Sequence, residues 1–199
     1  TGSDGQVLTS AGAGAPCAFE ALPASGAWAL IATGTASNSS SLDFTGFNST
    51  TYSSYMFIIE NLRPATDGQH LTFITSTDGG SSYDTGASDY QWMDSRNHTT
   101  NVAAENDVAD AFIRLAGITD QGNDTTAAYS GTLTLFAPSS ALYTNVTWHG
   151  VYRNSSDEYA RMIVGSGRRL SEADVDAVRF IQSSGNLTSG TIRFLGMVK

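Results

Sequence analysis

The chain has 199 residues, with 19 acidic against 10 basic side chains and a net charge of −9. Only 15% of residues are charged, while 25 serines and 23 threonines make polarity a matter of hydroxyls, which excludes a coiled coil or long-helix protein. Twenty aromatics (9 Phe, 8 Tyr, 3 Trp) exclude full disorder, and nine arginines plus the single Lys199, nowhere gathered into a basic surface, exclude a nucleic-acid binder.

Residues 1–22 differ from the rest. Gly and Ala dominate, and one strand-like run, Gln6 to Thr9, precedes Ala11-Gly12-Ala13-Gly14-Ala15-Pro16. This segment is too short to bury itself, so it reads as an N-terminal arm or connector needing its own domain or a neighbouring chain. Cys17 lies in it, alone, so no intrachain disulfide forms. Thr1 opens the chain without Met, which fits a trimmed N-terminus or the distal part of a longer polypeptide.

From residue 23 to 199 the dominant period is two. Trp28, Leu30 and Ala32 alternate with Ala29 and Ile31, and Tyr52 to Glu60 is rich in strand formers. Leu71 and Phe73, then Leu133 and Leu135, then Val146, Trp148 and Tyr152, repeat the alternation; Tyr159–Val164, Val175–Gln182 and Thr191–Val198 complete it. Clusters such as Ser37–Ser40, Asp78-Gly79-Gly80, Gln121–Asp124, Asn154–Asp157 and Ser184-Gly185-Asn186 mark turns between the runs. Eight or nine short strands so punctuated predict an all-β chain, an antiparallel β-sandwich or jelly roll with a short extended N-terminal arm. Helix has two bids. One is Ala-rich Val102–Phe112; the other is Ser171–Asp174, which resembles a capping box. No window reaches the ~20 apolar residues of a membrane helix, so no membrane insertion is expected.

His70, His98 and His149 have no metal-ligand spacing, and no phosphate-binding loop or nucleophile elbow appears. Asp78, Asp84, Asp89, Asp120 and Asp124 stand beside Gly, Ser and Asn. Such carboxylates serve glycosidases and calcium loops. Their expected use here is to bond their own turn backbones, leaving a calcium ion in one of these loops as the functional alternative. Tyr83, Asp89, Tyr90, Trp92 and Arg96 form the candidate ligand-binding set, an aromatic platform for a sugar ring or a partner. The competing reading, favoured by spacing, puts Tyr90 and Trp92 on one inward strand face. Seven Asn-x-Ser/Thr sequons, at Asn38, Asn48, Asn97, Asn123, Asn145, Asn154 and Asn186, fit a secreted glycoprotein or, the favoured reading, Asn and hydroxyl residues crowding into the same turns.

The opening SDGQVLTSAGAGAP resembles the GQVLTSNGAG-P connectors that recur in bacteriophage tail-fibre and other virion-fibre proteins. The stretches ATGTASNSSSLDFTG (32–46), NLRPATDG (61–68), STDGGSSYDTGASDYQW (76–92) and SSGNLTSGTIRFLGMVK (183–199) resemble C-terminal domains of marine-type phage structural proteins. The resemblance implies a virion structural protein on the particle surface, a homotrimer that meets other virion proteins through its arm and contacts host-surface glycan. It carries no catalytic motif and implies no cofactor. Loops 78–98 and 119–126 are the expected contact loops. Two alternatives belong to other classes: a polysaccharide-degrading tailspike-like domain using Asp78, Asp84 and Asp89, and a secreted glycan-binding module.

Overall fold

The computed structural model describes residues 6–10, 12–21, 27–97, 101–117, 121–139, 142–156 and 159–199. Among them are fourteen strands and no helix. In chain order these are β1 (Gln6–Thr9), β2 (Ala18–Ala21), β3 (Trp28–Ser39), β4 (Leu42–Phe44), β5 (Tyr52–Pro64), β6 (Leu71–Ser76) and β7 (Tyr90–Asn97). Then come β8 (Val102–Asp110), β9 (Ile113–Arg114), β10 (Tyr129–Phe136), β11 (Asn145–Arg153), β12 (Ala160–Arg169), β13 (Ala177–Gln182) and β14 (Leu187–Val198). An eight-stranded antiparallel sheet, β3-β14-β5-β10-β11-β12-β7-β8, covers a four-stranded one, β4-β13-β6-β9. The architecture is an antiparallel β-sandwich, as the alternation predicts.

Residues 6–21 are not simply extended. β1 and β2 form a hairpin in which Leu8 faces Phe19, and both side chains are about half exposed or more, at 60% and 48%. Both helix expectations are corrected. Val102–Asp110 is a strand paired antiparallel with β7, with one register shift between Tyr90 and Trp92, and 171–174 is irregular. Alanine's helix preference is a fraction of a kcal/mol per residue, and a ladder of hydrogen bonds along a free sheet edge outweighs it.

The core is the inward-facing period-two set. Phe57 of β5 and Phe194 of β14 stack with ring centroids 4.8 Å apart and planes 2° from parallel. Phe44, Phe73 and Phe180 of the small sheet meet Phe57 edge-on at 5.2–6.4 Å. These five rings join the two sheets, and all are buried.

Strand β5 carries a bulge read from both sides. Against β14 the register slips between Ser189 and Thr191, and against β10 between Tyr129 and Gly131. Asn61, at φ 51°, is the extra residue, and Gly190, at φ 118°, faces it. A Cβ on Gly190 would lie 2.5 Å from the Leu62 Cα and 2.6 Å from the Asn61 carbonyl oxygen, both backbone atoms that cannot swing aside. Gly190→Ala is therefore expected to cost about 3 kcal/mol, combining ~1–2 for the disfavoured backbone with ~1–3 for overpacking. Urea unfolding checks this as a lower midpoint; an unchanged midpoint would show that the strands part without cost.

Candidate functional site

The five residues expected to bind a ligand do not converge. Tyr90, Trp92 and Arg96 lie on the inner face of β7, each 4% exposed or less. The Thr75 amide donates to Tyr90 Oη at 2.8 Å, and burial pushes that phenol far above its ordinary pKa. Trp92 Nε1 donates to Asp110 Oδ2 at 2.9 Å, beneath the Arg114 guanidinium. Asp89 Oδ2 accepts the Gly86 amide at 2.6 Å and closes a turn. Tyr83 stands apart, its ring 3.9 Å from Arg179, which is itself paired with Asp43. The spacing argument for inward packing matches where Tyr90 and Trp92 lie.

Asp78 and Asp124 bond their own turns, whereas the Asp84 carboxylate is held by side chains from elsewhere in the fold. Asp78 accepts from the Ser82 amide and from the Ser82 and Ser76 hydroxyls at 2.6–2.9 Å, and these donors hold its carboxyl down at about 2. Asp84 takes Arg169 Nε at 2.7 Å and the Thr75 hydroxyl at 3.2 Å. Asp124 accepts the Thr126 amide and hydroxyl, each at 2.7 Å, and pairs with Arg153. Asn48 and Asn154 cap turns in the same way. His98 and Asp120 lie outside the described residues. Among those described, no three His, Cys, Asp or Glu side chains gather closely enough to hold a metal ion.

Two features escaped the sequence reading. One is a charged cluster between the sheets. The register sets Asp94 of β7 directly opposite Glu105 of β8, a like-charge pair that strand pairing disfavours. Arg96 resolves it, with Nε 3.0 Å from Asp94 and Nη2 2.5 Å from Glu105, while Arg114 adds a second cation 3.8 Å from Glu105. Gly117 crosses so close over the Arg96 guanidinium that a Cβ there would lie 2.0 Å from Nη1. Desolvation dominates at Asp94 and raises its pKa to about 6, against the pull of Arg96 and with a push from Glu105. This cluster is closed over and structural.

The other is the outer face of the large sheet. Because Val146, Trp148 and Tyr152 point inward, Thr147, His149 and Val151 point out, and the register lines them up with their neighbours. One row across the strands reads Phe136, Asn145, Arg168, Gln91; the next reads Met56, Thr134, Thr147, Ser166, Met93, Asn106. A third carries Thr132, His149, Val164 and Ser95, with a 3.1 Å hydrogen bond between Thr132 Oγ1 and His149 Nδ1. Met93, Val108, Phe136, Val151, Met162 and Val164 are 43–65% exposed on this side. Strands β10, β11 and β12 contain no acidic residue, and the only one in β7 is the inward Asp94.

Two open depressions, of about 550 and 800 Å³, lie along this face and share Met93, Thr147 and Ser166. At one end Arg168 donates from Nε and Nη2 to Gln91 Oε1, at 3.2 and 2.9 Å, with its guanidinium 5.1 Å from the centre of the Tyr143 ring. Across β7 and β10 to β12, a face of hydroxyls, amides and exposed apolar groups without acid, in a chain of net charge −9, has the chemistry of a contact surface. The sequence signal was present in Arg161-Met162-Ile163-Val164, whose apolar residues alternate between both faces.

No known protein family, curated protein or solved structure matches this chain.

Proposed function

We infer that this chain is a non-catalytic attachment and assembly module of a virion surface, a homotrimeric fibre-type domain that meets host-surface glycan through the outer face of its large sheet. The observation that carries the reading is that face: hydroxyl- and amide-rich, partly apolar, with the Arg168 cation at one end and the sandwich packed beneath it. The likeness of residues 3–16 to virion-fibre connectors supports the setting. The hairpin supports the assembly, because Leu8 and Phe19 leave an apolar pair for a neighbouring chain or another virion protein to cover. Weak contacts at three identical faces would add through avidity where geometry lets them engage together.

Val164→Glu tests the face, since it places a carboxylate at its centre without touching the core. Wild-type protein is expected to bind members of a bacterial surface-glycan panel, and the variant to lose that binding. Equal binding by both would move the contact elsewhere, and no binding by wild type would end the glycan reading. Light scattering tests the assembly. A trimer for residues 1–199 that becomes a monomer when the chain starts at Gly26 is the expected result; monomers in both would remove the arm from assembly.

A further inference from the structure

The 550 Å³ depression has a donor inventory that names its ligand more closely. This step rests on the reading of the outer face as a glycan contact. Among the described residues lining it, Arg168 carries the only charge. Arg168 takes part in no ion pair among the described residues; its guanidinium is held instead by Gln91 Oε1 and the Tyr143 ring. Two of its five N–H groups are spent on Gln91, which leaves three. Gln91 has committed its carbonyl oxygen to Arg168, so its amide NH₂ remains as a donor. Asn145 is the converse: its Nδ2 donates to the Tyr143 carbonyl at 3.1 Å, leaving Oδ1 as an acceptor. Ser166 and Thr147 add hydroxyls, and Met93, Val108 and Phe136 make an apolar wall. The site therefore offers a fixed planar cation, further donors, acceptors at Asn145 Oδ1, Asn106 and the two hydroxyls, and a hydrophobic side.

We propose that this depression binds a saccharide unit bearing a carboxylate, such as a uronic or sialic acid residue. The carboxylate pairs with Arg168 and the Gln91 amide, a sugar hydroxyl donates to Asn145 Oδ1, and the C–H face of the ring lies on Phe136. Several features favour this occupant over a neutral sugar. A guanidinium matches a carboxylate bidentately, and Arg168 is preset by Gln91 and Tyr143, so little side-chain order remains to be lost on binding. A neutral ring would leave the cation unanswered in a partly desolvated site. The net charge of −9 does not forbid an anion here. Acidic groups farther than about 8 Å are largely screened at physiological salt, and the strands forming the floor bring none of their own to this side.

The test uses the full chain labelled with ¹⁵N and two matched pairs of probes. Hyaluronan tetrasaccharide is set against chitotetraose, and α2,3-sialyllactose against lactose. At least one acidic member is expected to shift the amides of Gln91, Asn145 and Arg168, with its neutral partner much weaker, and rising NaCl should weaken it. Arg168→Gln should lower that affinity about tenfold or more, the size of a lost charge-assisted hydrogen bond. Arg193→Gln removes the same charge from β14, four strands from β12, and should leave the affinity unchanged. Equal shifts from acidic and neutral members, untouched by Arg168→Gln, would overturn the carboxylate assignment and leave the glycan face standing. Shifts confined to another surface would overturn the site. If none of the four probes shifts the site while the glycan panel still binds, the carboxylate proposal falls alone; if the panel also fails, the broader reading falls with it.

Discussion

Phe57→Ala is expected to lower the stability of the sandwich by about 3–5 kcal/mol, as for other fully buried aromatics truncated to alanine. The ring is 0% exposed and touches four others: it stacks on Phe194 and takes the edges of Phe44, Phe73 and Phe180. Two of its five-ring group come from the large sheet and three from the small one, so the cavity would open at the seam between layers. Backbone on both sides is pinned by strand pairing, which limits collapse into the void. Phe57→Leu keeps most of the volume and should cost less than half as much, separating lost packing from lost aromatic contact. Equilibrium urea unfolding measures both; a cost below ~1.5 kcal/mol for the alanine variant would show that the layers close over the gap.

Arg96→Leu is the second large effect, again about 3–5 kcal/mol, for a different reason. Removing the guanidinium strands Asp94, whose side chain is fully buried, opposite Glu105, with Arg114 left 3.8 Å from Glu105. Asp94→Asn in the same chain should recover much of the loss, because it removes the carboxylate that the variant leaves uncompensated. The pH dependence follows from Asp94. Its folded pKa is raised to about 6 from an ordinary 3.8, so the unfolded chain releases this proton first as pH rises. The stabilising contribution of the protonated form is full below about 3.8, falls between about 4 and 6, and is gone above the folded pKa. Asp94→Asn removes that slope, so its stability relative to wild type should improve from pH 4.5 to pH 7. A constant difference across that range would mean that Asp94 titrates normally in the folded protein.

How much was legible before folding can be judged from individual residues. Val146, Trp148 and Tyr152 announce one buried face by their spacing, and the structure buries all three. The turns at Asp78 and Asp124 are readable from Asp beside Gly, Ser and Thr, since the turn donors to each carboxylate lie within four residues; the Arg153 partner of Asp124, 29 positions away, is not. The alanine-rich stretch 102–112 reads as helix from local propensity, and nothing within it shows that the edge of β7 is free to pair. The sequence places Arg96 in a candidate ligand-binding set, and its distant partners are not legible there. Glu105 is nine positions away and Gly117 twenty-one, and only the register of β7 against β8 and the crossing of the 115–117 segment bring them together.

The outer face makes the same point from the other side. Period-two alternation settles which residues share a strand face, and it does so locally, because successive side chains point in opposite directions. It therefore established an all-β chain, its inward residues and most of its turns. It is blind to which strands become neighbours. Gln91 and Arg168 are 77 positions apart, and Phe136 meets Asn145 and then Arg168 only through the order β10-β11-β12-β7. Long-range pairing of that kind is chosen by the burial of the whole inner face, not by any short stretch. The surface without acid across β7 and β10 to β12, and the cation set into it, come into being only when the strands take that order.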